Sequence, residues 1–103
     1  MSGADPQFDA VHPSGHVLFR SSRGGYLHSV VLSEAVRDTD GQALAEAVLR
    51  AADVSHLKAV MQIRHEILDS GCSPSAELPT PADLSRAEAA LAGHRLEDRG
   101  SST

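Results

Sequence analysis

Residues 42–70, QALAEAVLRAADVSHLKAVMQIRHEILDS, contain neither proline nor glycine. Alanine, leucine, glutamate, arginine and lysine dominate the segment, and all of them favour helix. Asp40 stands where an N-cap belongs, and Gly71 where a glycine ends a helix in the left-handed conformation. One long helix is therefore predicted, and the rest of the chain must fold around it. Its apolar stripe does not run straight. Leu44, Ala47, Val48, Ala51 and Val54 share one face at 3.6-residue spacing. Leu57, Val60, Met61, Ile67 and Leu68 lie on a face rotated by more than a quarter turn. One flat sheet cannot cover both faces. The first half is expected to pack on a sheet, and the second half on a partner chain or on the C-terminal segment.

The sheet comes from the residues before the helix. Gln7 to Val11 can form a first strand, and His12-Pro13-Ser14-Gly15 reads as a turn. Residues 16–22 and 26–33 are rich in β-branched and aromatic types and flank Arg23-Gly24-Gly25. Gly24 and Gly25 suit a two-residue type I′ turn, in which both central residues need positive φ. That turn sets Phe19 opposite Val30 and Val17 opposite Leu32, all four on one face. Leu18, Leu27 and Val31 fall on the other face, so both faces of the hairpin are partly apolar. Phe8, Phe19 and Tyr26 are the only aromatic residues, which leaves the core to Val, Leu, Ile and Ala. Leu44, Val48 and Ala51 should pack against Val17, Phe19, Val30 and Leu32.

After the helix, three prolines between Cys72 and Thr80 or just beyond mark a linker, and Pro81 is expected as the first residue of a short helix after an N-cap Thr80. Leu84, Ala87 and Leu91 share one side of it. The expected organisation is a disordered lead over 1–6, a β-β-β-α domain over 7–71, a proline-rich linker over 72–80, a helix over 81–95 and a disordered tail over 96–103. The fold class is α+β: a three-stranded antiparallel sheet packed by one long helix, plus a short C-terminal helix. At 103 residues this is a single domain with a thin core, a size at which association often adds stability.

A formal net charge of −5 argues against a stand-alone nucleic-acid binder, which needs a basic surface. A single cysteine, Cys72, rules out an internal disulfide and fits a reducing cytoplasm. The N-terminus lacks a signal-peptide pattern, and no apolar run approaches the roughly 20 residues of a membrane span.

No motif for catalysis or metal binding assembles. In the proposed register His28 faces Ser21, and His16 has the parity opposite to Val17, so His16 and His28 project to different faces, too far apart for one zinc. His65-Glu66 suggests the start of a metalloprotease HExxH helix, but position 69 is Asp. His56 belongs to the same charged helix surface, and His94 is expected to cap the end of the last helix. Ser33, Ser70 and Ser73 lack a nucleophile-elbow context, and Gly24-Gly25 lacks phosphate-loop spacing. Cys72 has no basic neighbour to activate it. The expectation is no catalytic residue, no metal and no cofactor.

The order of these elements carries a resemblance. The HPSG turn, the alternation of HVLF, the VVL strand end, Leu44-Ala45-Glu46 and Ala51-Ala52-Asp53 resemble the C-terminal region of the mycobacterial ESX (type VII) secretion-associated proteins EspD and EspH, over Phe8 to Leu68. LPTPADLSRAEA, residues 78–89, is similar to the segment that follows in those proteins. The two blocks span roughly three quarters of the chain. The long acidic N-terminal extension of that family is missing here, and histidine is more frequent. The strand-strand-strand-helix layout also resembles the YbaB nucleoid-associated fold, whose members dimerise.

The resemblance implies a non-enzymatic accessory or chaperone-like role in ESX secretion, as a homodimer or with a YbaB-like partner. It carries no catalytic residue over. The Tyr-x-x-x-Asp/Glu signal of many ESX substrates is absent, since Tyr26 is followed four positions later by Val30. A cytoplasmic accessory protein is thus expected over a secreted substrate. Leu18, Leu27, Val31, Leu57, Val60, Met61, Ile67 and Leu68 are the candidate partner-binding residues. The alternative is a YbaB-type DNA-binding protein using Arg20, Arg23, Arg37 and Arg50.

Overall fold

The computed structural model describes residues 8–22 and 28–96. Three strands, β1 (Ala10–Val11), β2 (Val17–Ser21) and β3 (His28–Leu32), form an antiparallel sheet in the order β1-β2-β3. A short 3-10 helix (Glu34–Asp38) leads into α1 (Gly41–Asp69), and a linker leads into α2 (Pro81–Ala92). The fold is α+β, with the expected elements in the expected order. The expected Gly24-Gly25 turn, Leu27, the whole lead and most of the tail lie outside the described residues.

Local chemistry sets the element ends. The HPSG turn closes with the Gly15 N–H donating to the His12 carbonyl at 2.8 Å, and Gly15 takes the positive φ of +78° that glycine adopts at no steric cost. The Asp40 carboxylate accepts from the Ala43 N–H at 3.0 Å and caps α1. Gly71, at φ +86°, ends it. Pro81 opens α2 after Thr80, whose N–H donates to the Asp83 carboxylate at 2.8 Å. That hydrogen bond is the main reason the Asp83 carboxyl titrates below its ordinary range.

The β2–β3 register is the one the hairpin parity requires. Val17 pairs with Leu32, Leu18 with Val31, Phe19 with Val30 and Ser21 with His28. On its other side β2 pairs with β1, Ala10 with Phe19 and Val11 with Leu18. β1 is shorter than the expected 7–11, and Phe8 is buried just before it.

The core departs from expectation at β3. Val17, Phe19 and Ala10 are buried against Ala47, Ala51, Val54 and Leu57 of α1, with Leu44 and Val48 partly buried beside them. Val30 and Leu32 lie on the same sheet face but are exposed, at 39% and 44%. The reason is width. An α-helix with its side chains is about 10–12 Å across, and strands are about 4.8 Å apart, so one helix covers two strands. Here α1 packs chiefly on β2 and then β1, and β3 lies at the margin of its cover.

The drifting stripe of α1 is resolved within the chain. α2 folds back antiparallel to α1. Pro81 lines a cleft with Met61, Arg64 and Leu68, while Leu91 lines another with Val54 and Ala10. Ala87 and Leu91 join the core with Leu57, and Leu84 packs at its edge. The principal dimensions, 56 × 32 × 16 Å, describe a thin and elongated molecule. Its length follows from α1, whose 29 residues span about 43 Å at 1.5 Å per residue.

Candidate interaction surface

The surface is built from β3 outward. Alternation along the ladder decides where the backbone groups of β3 point. The Ser33 N–H donates to the His16 carbonyl at 3.0 Å, so residues 33, 31 and 29 turn their polar groups toward β2. Val30 and Leu32 turn theirs away from β2, to the open side of the sheet. The side chains of β3 are exposed in both directions: Val30 and Leu32 on the α1 side, Val31, 51% exposed, on the other. The strand, HSVVL, contains no Lys, Arg, Asp, Glu or Pro, the residues that usually blunt an edge.

On the face opposite α1, cross-strand pairing lines up Val11, Leu18 and Val31 in one row across all three strands. Val11 and Val31 are exposed and Leu18 is half-buried. Arg20 lies on the same face, 3.1 Å from the Asp9 carboxylate. The Lys58 ammonium donates to the Asp9 carbonyl at 2.8 Å and ties this end of β1 to α1.

Of the eight residues expected to bind a partner, Leu18 and Val31 sit together in this row. Leu57 and Val60 do not belong to any open surface. They are 7% and 8% exposed, and Leu57 packs with Ala87 and Leu91 of α2. The second stripe of α1 there serves α2, not a second chain. Met61 and Ile67 are half-buried and Leu68 is exposed, near the far end of α1. Met61, Leu68 and Pro81 line a cleft of about 260 Å³ with Arg64 and His65. Leu27 lies outside the described residues. Sequence parity missed Val30 and Leu32 as surface residues, because parity assigns a face and not the reach of the covering helix.

The polar residues resolve into separate pairs. His16 Nδ1 meets the Ser33 hydroxyl at 2.8 Å. His65 lies 3.2 Å from Asp69 on exposed helix surface, and His56 is exposed. Cys72 is an exposed free thiol. Among the described residues no group of three or more His, Cys, Asp or Glu is placed to hold a metal ion. No described helix is long and apolar enough to cross a membrane. Of the arginines considered for DNA, Arg20 is held by Asp9, Arg50 lies 3.8 Å from Glu46, and Arg37 is on the 3-10 helix. Arg23 lies outside the described residues.

The histidine that sequence reasoning left unassigned is the most buried. His12 is 1% exposed. Its Nδ1 accepts from the Ser14 N–H at 3.0 Å, and its Nε2 lies 3.0 Å from Nδ1 of His94. His94 Nε2 in turn lies 3.4 Å from Glu46 of α1. The expected role of His94 as a helix cap is therefore replaced by a side-chain contact to the HPSG turn. Burial, followed by the neighbouring His94 and His16, holds the His12 pKa below its ordinary value.

Comparison with known proteins adds a family. The one described as "Protein of unknown function (DUF2694)" matches residues 1–97. Relatives described as uncharacterized proteins occur in Mycobacterium bovis (strain ATCC BAA-935 / AF2122/97) and Mycobacterium tuberculosis (strain ATCC 25618 / H37Rv). Each is 56% identical over 99 residues, covering 96% of this chain and 98% of the relative. No solved structure matches the chain.

Proposed function

We propose that this chain, which belongs to the DUF2694 family, is a non-enzymatic protein–protein interaction module that pairs through β3. One observation carries the reading: β3 leaves Val30, Val31 and Leu32 exposed on both of its faces, with the Val30 and Leu32 backbone groups turned to the open edge. Adding a strand there would satisfy those groups. A second copy is the simplest partner, because antiparallel pairing about a two-fold axis at Val30 sets Val30 opposite Val30 and Ser29 opposite Val31.

The resemblance to EspD and EspH supports an accessory, chaperone-like role in ESX secretion, in the cytoplasm, with a YbaB-like protein as the alternative partner. YbaB-type DNA binding is disfavoured by the net charge of −5 and by the engagement of Arg20 with Asp9. Val30→Pro tests the pairing. The Val30 N–H points away from β2, so proline removes an edge donor and keeps the hairpin ladder. The variant should lose self-association, measured by sedimentation, and retain the helical circular dichroism of the parent. A variant that associates as the parent does would refute pairing through this edge.

A further inference from the structure

We propose that His12 and His94 form a proton-operated latch between the HPSG turn and the end of α2, closed when both rings are neutral and opened when the pair takes up a proton. The two residues stand 82 positions apart in the chain, and their rings meet edge to face with centroids 5.2 Å apart. His94 follows Gly93, directly after α2, so this contact joins the C-terminal residues to the first turn of the fold.

The hydrogen-bond directions fix the tautomers. The Ser14 N–H occupies Nδ1 of His12, and the Ser14 hydroxyl lies 2.9 Å from the same nitrogen. The His12 proton therefore sits on Nε2 and is donated to Nδ1 of His94. That leaves the His94 proton on Nε2, 3.4 Å from the Glu46 carboxylate. The chain of contacts runs one way, from Ser14 through both rings to Glu46, and each ring uses one donor and one acceptor.

An added proton is poorly accommodated in it. On His12 Nδ1 it gives up the bond from the Ser14 N–H, keeps only the Ser14 hydroxyl as acceptor, and places a charge on a ring that is 1% exposed. On His94 Nδ1 it opposes the His12 Nε2–H. Shifting the His12 proton to Nδ1 to make room leaves it the Ser14 hydroxyl as acceptor and gives up the bond from the Ser14 N–H. The groups around the pair do not rescue it at His12. From the residue before β2, the neighbouring His16 adds to the repulsion. From α1, Glu46 faces His94 and is shared with Arg50 at 3.8 Å. A proton on His94 thus keeps the α1 contact and weakens the one to the turn, which retains its hydrogen bond only at the cost of the Ser14 N–H bond to His12. Beside the latch is a cleft of about 220 Å³ lined by Ala10, Pro13, Val54 and Leu91, which opening would widen.

The sign follows from linkage. The His12 pKa lies lower in the folded chain than in the unfolded one, so its contribution to stability is complete above about 6.5 and is lost as pH falls below that value. The test is amide hydrogen exchange of the full chain, read at Ala89 to His94 between pH 7.5 and 5.5. Rates are expressed as protection factors, so that the intrinsic pH dependence of exchange cancels. Protection in the parent should fall by up to about tenfold per pH unit below 6.5, the limit for one linked proton. His94→Gln, at a less buried position than His12, should lower protection at all pH values and remove the step. His12→Gln should behave alike. His16, His56 and His65 remain in both variants, which removes them as the source. Equal protection of the parent at both pH values, or a step that persists in His94→Gln, overturns the latch.

Discussion

Ser21 and Ser55 meet between the two layers, β2 and α1, with their hydroxyl oxygens 2.5 Å apart. Both side chains are buried, and the bond they share lies beside Val54 and Phe19 in an otherwise aliphatic core. Removing one partner strands the other. Ser55→Ala leaves the Ser21 hydroxyl without its bond on a strand, where it has no local carbonyl to turn to. The cost of a buried unsatisfied hydroxyl is about 1–3 kcal/mol. Ser21→Ala should cost less, because a serine within a helix can bond the carbonyl four residues back. Removing both at once takes away both polar groups and leaves methyls of similar shape, so the double variant should lie within about 1 kcal/mol of the parent. The expected outcome is a coupling of about 1–2 kcal/mol in a double-mutant cycle. The chain has no Trp, so urea unfolding is followed by helical circular dichroism, at one fixed protein concentration because association would shift the midpoint. With a slope of about 1–1.5 kcal/mol/M for a small domain, Ser55→Ala should lower the midpoint by roughly 0.7–3 M. Additive single costs would refute the reasoning, since they would mean that the two hydroxyls do not depend on each other.

Leu57→Ala should destabilise the chain by about 2–5 kcal/mol through the cavity it leaves under α2, whereas Val31→Ala, on the open face, should change stability by less than about 0.5 kcal/mol; urea midpoints decide between them. Asp40→Ala removes the N-cap of α1 and should cost about 1 kcal/mol, and Asp40→Asn should restore most of it. A Val31→Lys change introduces the charge that protects natural edges, and should lower self-association while leaving the unfolding free energy of the single chain within about 0.5 kcal/mol of the parent's.

Residue types and spacing carry the local parts of the fold well. The caps at Asp40 and Thr80, the glycines at 15 and 71, and the pairing of Val17 with Leu32 all depend on near neighbours. What spacing does not carry is coverage. Val30 and Leu32 have the parity of core residues, but burial depends on where a helix two strands wide comes to rest. The stripe of Leu57 and Val60 leaves the sheet, and spacing alone allows it either a partner chain or the C-terminal segment. The same stripe is met by Ala87 and Leu91, and only the return of the chain through its proline linker decides between the two outcomes. The His12–His94 contact is a further step removed. His12 reads only as part of a turn and His94 stands in no motif, and the two lie 82 positions apart in the chain.

The central claim is that β3 is a pairing edge. Solution mass by multi-angle light scattering, on the parent and on Val30→Pro at the same concentration, tests it most directly. The account predicts a parent at about twice the 10.8 kDa of one chain and a folded Val30→Pro variant at the mass of one chain. A parent that stays at 10.8 kDa across the micromolar range, with the variant indistinguishable from it, would contradict the claim.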